Sequence, residues 1–255
     1  MAHWIRYENQ GQSGFGTVEN DSIKVYAGEL FGGKRPTGAV LALAAVKVLT
    51  PTQPTKMVAL WNNYRALAEK LGQAVPPEPL WFIKANSSFH PGGQPIRAPA
   101  SYAGKVIYEG ELGIVIGKRA ARVSEADAAS HILGYTCIND VTAVELLKKD
   151  ATFDQWSRSK SFDTFGVFGP VIATGLDPAT LAVRTVLNGQ ERQNYPTADM
   201  FFPPAKLVSL ISQDLTFEPG DVICCGTSVG VGSMKPGSDV AVSIEGIGEL
   251  ANRFE

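Results

Sequence analysis

Val106-Ile107-Tyr108-Glu109-Gly110-Glu111-Leu112-Gly113-Ile114-Val115-Ile116-Gly117-Lys118 is the stretch from which the chain is best read. Most of it predicts a strand, rich in Ile and Val and ended by Gly-Lys-Arg. Strand side chains alternate in direction, so Glu109, Glu111, Gly113 and Val115 share one face. Gly110, Leu112, Ile114 and Ile116 share the other. Two carboxylates two residues apart then point the same way. If buried, such a pair must take up a proton or a cation. A divalent ion meets that need, and an all-oxygen ligand set favours a hard ion such as Mg²⁺, Mn²⁺ or Ca²⁺. The plain alternative is two solvated glutamates on an exposed strand face.

The 255 residues carry a formal net charge of -2. That length suffices for one large core, or one core with a small appendage. The near-neutral balance supplies no nucleic-acid footprint. Met1-Ala2-His3-Trp4-Ile5-Arg6 lacks the apolar core of a signal peptide. The longest apolar run, around Ala39–Leu49, contains Lys47 and is too short to span a bilayer. Cys137, Cys224 and Cys225 form no C-x-x-C pair, which predicts a reduced, cytoplasmic protein. The 26 glycines and 16 prolines predict many turns, hence a β-rich α+β fold with few short helices.

Residues 1–52 read as a small N-terminal domain and 53–255 as a second, larger one, with Thr50-Pro51-Thr52-Gln53-Pro54-Thr55 between them. Strands are expected at Trp4–Tyr7, Ser22–Tyr26, Lys56–Trp61, Leu80–Lys84, Ile132–Asp140 and Gly169–Thr174. Further strands are expected at Val222–Cys225, Asp239–Glu245 and Gly248–Phe254. Helical character falls on Arg65–Leu71, Thr142–Asp150 and Pro204–Gln213, and on Glu125–His131 behind the N-cap Ser124. Asn188-Gly189 marks a hairpin.

Asp140 closes an apolar strand, where a carboxylate needs a partner. If it meets Glu109 and Glu111, three carboxylates face one divalent ion with a summed charge of about -1. One lysine brings that to neutrality, and Lys160, in an expected loop, is the candidate. Gly226-Thr227-Ser228-Val229-Gly230-Val231-Gly232 follows a buried strand, and its backbone N–H groups can form an anion nest. The loop also matches G-x-S-x-G, but no helix can follow Ser228 directly and no histidine follows His131, so a serine nucleophile is rejected.

Together these stretches resemble the fumarylacetoacetate hydrolase superfamily. The likeness rests on Tyr108-Glu109-Gly110-Glu111-Leu112, Val115–Lys118, Gly134-Tyr135-Thr136, Asn139-Asp140, Ser159-Lys160-Ser161-Phe162-Asp163 and Val186-Leu187-Asn188-Gly189. It continues through Pro219-Gly220-Asp221, Gly226-Thr227 and Gly230-Val231-Gly232. Their order holds from residue 56 to the C-terminus. Ser124–Ala128 and Glu245–Arg253 are similar to the homoprotocatechuate-pathway isomerase/decarboxylase branch.

The resemblance implies a mixed β-sandwich or β-roll, a homodimer, and a Mg²⁺ or Mn²⁺ site, with Ca²⁺ as a third candidate. It implies Glu109, Glu111 and Asp140 as metal ligands and Lys160 as the catalytic cation beside a developing oxyanion. Thr227 and Gly226, with Asn63 and Tyr64, become substrate-binding residues. The substrate class implied is a small 2-oxo or enol dicarboxylate, with no nucleic-acid or membrane partner. Hydrolytic relatives carry a histidine with a glutamate three residues on, after Arg-Asn-Tyr. Here Asn62 stands for that arginine, Leu67 for the histidine and Lys70 for the glutamate. Glu69 is the carboxylate left to serve as a base. The departure favours isomerisation or decarboxylation over C–C hydrolysis, which must activate water. A catalytically silent metal-binding relative is the remaining reading.

Overall fold

The computed structural model describes all 255 residues. The N-terminal strands are β1 (His3–Asn9), β2 (Gln12–Glu19), β3 (Ser22–Ala27), β4 (Arg35–Ala42) and β5 (Lys47–Val48). Next come β6 (Met57–Trp61), β7 (Leu80–Lys84), β8 (Phe89–His90), β9 (Val106–Tyr108) and β10 (Gly110–Ile116). Then follow β11 (Ile132–Asp140), β12 (Thr142–Ala143), β13 (Gly166–Ala173), β14 (Ala182–Leu187) and β15 (Gln190–Pro196). The last are β16 (Val222–Cys224), β17 (Gly232–Met234), β18 (Asp239–Ile244) and β19 (Gly248–Arg253). Five short helices intervene: α1 (Arg65–Leu71), α2 (Glu125–Ala128), α3 (Val144–Leu147), α4 (Trp156–Lys160) and α5 (Pro204–Asp214).

A twelve-stranded sheet runs β4-β3-β2-β1-β13-β11-β10-β16-β6-β7, with β5 paired to β1 and β8 to β13. The four-stranded sheet β15-β14-β18-β19 packs across β10, β11 and β13. A small sheet, β12-β9-β17, lies beside them. The β6–β16 and β8–β13 pairs are parallel and the remaining ladders antiparallel. This is the mixed β-sandwich that the resemblance implied.

All seven residues of β10 are buried. Leu112, Ile114 and Ile116 join the main apolar core, while Val115 joins a second cluster on the far face with Phe168 and Ile172. A strand covered on both faces leaves no solvent for Glu111, so the reading of two solvated glutamates does not hold.

Three expectations change in detail. The predicted strand breaks at Glu109, between β9 in the small sheet and β10 in the large one. The cause is a contact distant in sequence: the Glu109 N–H donates to Asn139 Oδ1 and its C=O accepts from the Asp140 N–H. The predicted helix over Thr142–Asp150 shrinks to α3, because Thr142 and Ala143 pair with Ile107 and Val106 as β12. Lys160 ends α4 instead of lying in a loop. The N-terminal strands continue the large sheet, since β1 pairs with β13 through His3 with Ala173 and Trp4 with Ile172.

Candidate metal centre

Three backbone segments meet at one point. The break before β10 supplies Glu109, β10 supplies Glu111, and the end of β11 supplies Asp140. One carboxylate oxygen from each lies within 4.8 Å of the others. Glu111 and Asp140 are fully buried, and the Glu109 side chain keeps 13% exposure. Lys160 Nζ donates to Glu109 Oε2 at 2.6 Å and to Asp140 Oδ2 at 2.7 Å. Thr142 Oγ1 donates to Glu109 Oε1 at 3.1 Å.

A second lysine, absent from the sequence reading, completes the cluster. Lys84 is wholly buried on β7 and donates from Nζ to Asp140 Oδ1 and to the Lys160 C=O. Two lysines therefore hold the two oxygens of Asp140. The charge balance shifts accordingly. Three carboxylates against two ammonium groups leave about -1; a divalent ion turns that to about +1, and one ligand carboxylate neutralises it.

Electrostatics separate the three acids. Burial, followed by the charge of Asp140, pushes Glu111 well above the ordinary carboxylate range. Burial also raises Glu109, with Lys160 opposing it. Burial would raise Asp140 too, but the charges of Lys160 and Lys84 outweigh it and hold the group below its ordinary value. Burial would lower Lys160, but the charges of Asp140, Glu109 and Glu111 hold it above its ordinary value.

Glu111 Oε2 accepts the Gly226 N–H at 2.8 Å, whereas Glu111 Oε1 is buried with no partner. An unpaired buried carboxylate oxygen is rare and costly. It sits within a set of hard oxygen donors, so these residues fit a divalent cation of the Mg²⁺, Mn²⁺ or Ca²⁺ kind.

The glycine-rich loop after β16 braces this floor. Gly226 adopts φ +85°, a conformation that favours glycine, and so turns its N–H onto Glu111. Thr227 Oγ1 donates to the Gly110 C=O at 2.9 Å and accepts from Gln193 Nε2 at 2.9 Å. Gln193 Oε1 accepts the Gly110 N–H at 3.0 Å, and the Tyr195 hydroxyl donates to the Gly110 C=O. Gly110 is thus clamped on both backbone groups. A Cβ there would stand 2.1 Å from Thr185 Oγ1, so only glycine fits. Gln193 and Tyr195 were also missed; their signal was polar side chains alternating along one strand face. Ser228 Oγ is buried without a partner, so nothing activates it as a nucleophile.

The other predicted site residues are distributed unevenly. Asn63 uses its whole amide as a latch: Nδ2 donates to the Phe202 and Cys225 C=O groups, and Oδ1 accepts the Phe202 N–H. Tyr64 is buried against Tyr195, ring centroids 4.9 Å apart, with its hydroxyl unpartnered. Burial pushes that hydroxyl well above its ordinary pKa, so it stays protonated. Leu67 packs into the core. Glu69 is exposed on α1 and is not one of the acids in the cluster. No histidine joins the cluster: His3 bonds to the Gly246 C=O, His131 to the Arg119 C=O, and His90 Nε2 is buried and unpaired.

The fumarylacetoacetate (FAA) hydrolase C-terminal model matches residues 56–255. The chain belongs to the fumarylacetoacetate hydrolase family. It is an enzyme of that family, whose members are generally dependent on a divalent metal. A second model, Rv2993c-like N-terminal, matches residues 2–51. The 2-hydroxyhepta-2,4-diene-1,7-dioate isomerase of Mycobacterium marinum superposes with a TM-score of 0.91 at 36% identity, covering 100% of this chain and 98% of that one. The oxaloacetate tautomerase of Bacillus subtilis is 34% identical over 227 residues, which is 84% of this chain and 74% of that protein. The 4-hydroxyphenylacetate degradation bifunctional isomerase/decarboxylase of Salmonella dublin is 38% identical over 201 residues, which is 78% of this chain and 46% of that protein. No helix of this family member is long and apolar enough to cross a membrane.

Proposed function

We propose that this enzyme acts on a small 2-oxo or enol acid by tautomerisation or decarboxylation. The dicarboxylates of the resembled branch are the first substrates to try. One observation carries the reading: a buried trio of carboxylates is held by two lysines, and no histidine or further carboxylate joins that cluster.

Glu109, Glu111 and Asp140 would hold the divalent ion, with Mg²⁺ or Mn²⁺ fitting the oxygen donors. When bound, that ion supplies a Lewis acid that polarises a 2-oxo group. The chain's own residues do the rest. Lys84 and Lys160 fix Asp140 and keep positive charge at the site, so an anionic acid is attracted and negative charge growing on an oxygen is stabilised. Burial of the floor excludes water and strengthens each of these interactions.

Neither reaction consumes water. In decarboxylation the electrons of the breaking C–C bond flow toward the polarised carbonyl as CO₂ leaves. In tautomerisation a proton moves between carbon and oxygen. C–C hydrolysis needs an activated water, and the position where relatives carry the histidine holds the core residue Leu67. Cytoplasmic location and a homodimer complete the proposal, as expected from the reduced cysteines and the family likeness.

The test follows the enol absorbance of oxaloacetate and of an acylpyruvate with Mg²⁺ and then with chelator, with products identified. Metal-dependent tautomerisation or CO₂ release is the expected result. Release of pyruvate and a carboxylic acid from the acylpyruvate would contradict it and restore the hydrolase reading.

A further inference from the structure

A cleft of about 440 Å³, a size ordinary for a small-molecule pocket, has Phe82 among its lining residues. Its walls are Trp61, Leu80, Trp81, Phe82, Leu147 and Trp156. Two contacts join it to the site. Lys160 Nζ lies 5.5 Å from the Phe82 ring centroid, and Phe82 stacks on Trp156, which starts the same helix, α4, that Lys160 ends. Trp61 extends the aromatic wall, 5.1 Å from Trp156 between centroids. Phe82 and Lys84 alternate on one face of β7, so a single strand supplies the inner wall of the cleft and a clamp of the metal centre.

The cleft offers a second negative charge no unpaired cation, and Gln73 is its one uncharged polar lining residue. Its two charged lining residues, Lys148 and Asp154, neutralise each other at 2.5 Å on the exposed rim. Leu80 and Trp81 keep 40% and 36% of their surface in water, apolar area that a ligand would cover.

We infer that this cleft receives the tail of the substrate, and that the tail is apolar, an aryl or branched alkyl group, rather than a second carboxylate. The inference rests on the proposed 2-oxo acid chemistry and narrows its substrate class to arylpyruvate-like acids. For such a substrate the reaction is keto–enol interconversion. The C3–H bond breaks and an O–H bond forms on the former 2-oxo oxygen, C=C replaces C=O, and no atom is lost. Decarboxylation does not apply, because no β-carboxylate is present. Preference then comes from burying the ring among aromatic side chains.

Pyruvate, oxaloacetate and phenylpyruvate test this with the full-length, Mg²⁺-loaded protein. Two readouts are combined: quenching of protein fluorescence, to which the cleft tryptophans contribute, and the rate of enol absorbance change. Phenylpyruvate is expected to bind at least about tenfold more tightly than pyruvate, which carries the same head with only a methyl tail. Trp156→Ala should lower the phenylpyruvate-to-oxaloacetate ratio of kcat/KM about tenfold, and Trp156→Phe should restore most of it. If Trp156→Ala fails to fold, Leu147→Lys at a half-buried wall position should shift the same ratio toward oxaloacetate.

Metal-dependent oxaloacetate turnover, with phenylpyruvate binding no tighter than pyruvate and an unchanged ratio in the variants, overturns the tail assignment and leaves the proposed function standing. Absence of metal-dependent binding by all three acids overturns the proposed function, and the tail assignment falls with it. Quenching that follows protein concentration instead of ligand, with a matching change in sedimentation, assigns the cleft to a second copy of the chain and also overturns it.

Discussion

The metal floor and the segment Trp61–Leu71 are both pinned by long-range polar contacts, but to different ends. On the floor, charged side chains hold one another: Lys160 grips Glu109 and Asp140, and Lys84 grips Asp140. In Trp61–Leu71 the polar side chains hold backbone. Asn62 bonds to Ala74, Asn63 to Phe202 and Cys225, and Arg65 to Met200. The position that could carry a base holds the buried Leu67. The segment keeps its architecture without acid–base chemistry, while the floor keeps an uncompensated oxygen at Glu111 that asks for a cation. On the proposed reading, the two regions together equip the enzyme to polarise a carbonyl and not to activate water.

Four changes sharpen or break that contrast. Glu111→Ala removes a proposed metal ligand and should lower turnover about a thousandfold, on the scale of a lost Lewis acid; steady-state rates at saturating Mg²⁺ check this. Lys84→Met leaves Asp140 Oδ1 without its partner and should cost about 3 kcal/mol of stability, read by chemical denaturation. Wild-type stability would show that Lys160 alone suffices. Gly110→Ala drives a methyl group into Thr185 and should destabilise by about 2 kcal/mol, seen as a lower Tm. Glu69→Gln should change kcat by less than about twofold, because Glu69 is solvated on α1. A large loss there would make Glu69 the base and dissolve the contrast between the two regions.

Much of the site was legible because its parts follow short-range rules. Alternation put Glu109 and Glu111 together, and the apolar run ending in Asp140 asked for a partner. The glycine-rich loop after β16 stood out by composition, and the missing lid dyad showed as Leu67 and Lys70. What escaped depends on distance along the chain. Lys84 looks like the polar end of Leu80-Trp81-Phe82-Ile83-Lys84, yet its partners lie 56 and 76 residues away. Its one local cue was that it shares a strand face with Phe82 and Leu80. Gln193 reaches 83 residues back to Gly110. The break at Glu109 was hidden because Asn139 and Asp140 cause it, not the residues beside it. The helix expected over Thr142–Asp150 yields to β12 because pairing with β9 satisfies backbone groups that one turn of helix leaves open.

A calorimetric titration of chelator-treated protein with Mn²⁺, wild type beside Glu111→Gln, tests the central claim most directly. Glutamine keeps the shape and cannot supply a carboxylate, so the variant should remain folded while losing a charged ligand. The account predicts one ion per wild-type chain and loss of that binding in Glu111→Gln. Equal binding by both proteins, or none by the wild type, would contradict the assignment of Glu109, Glu111 and Asp140 as a metal centre.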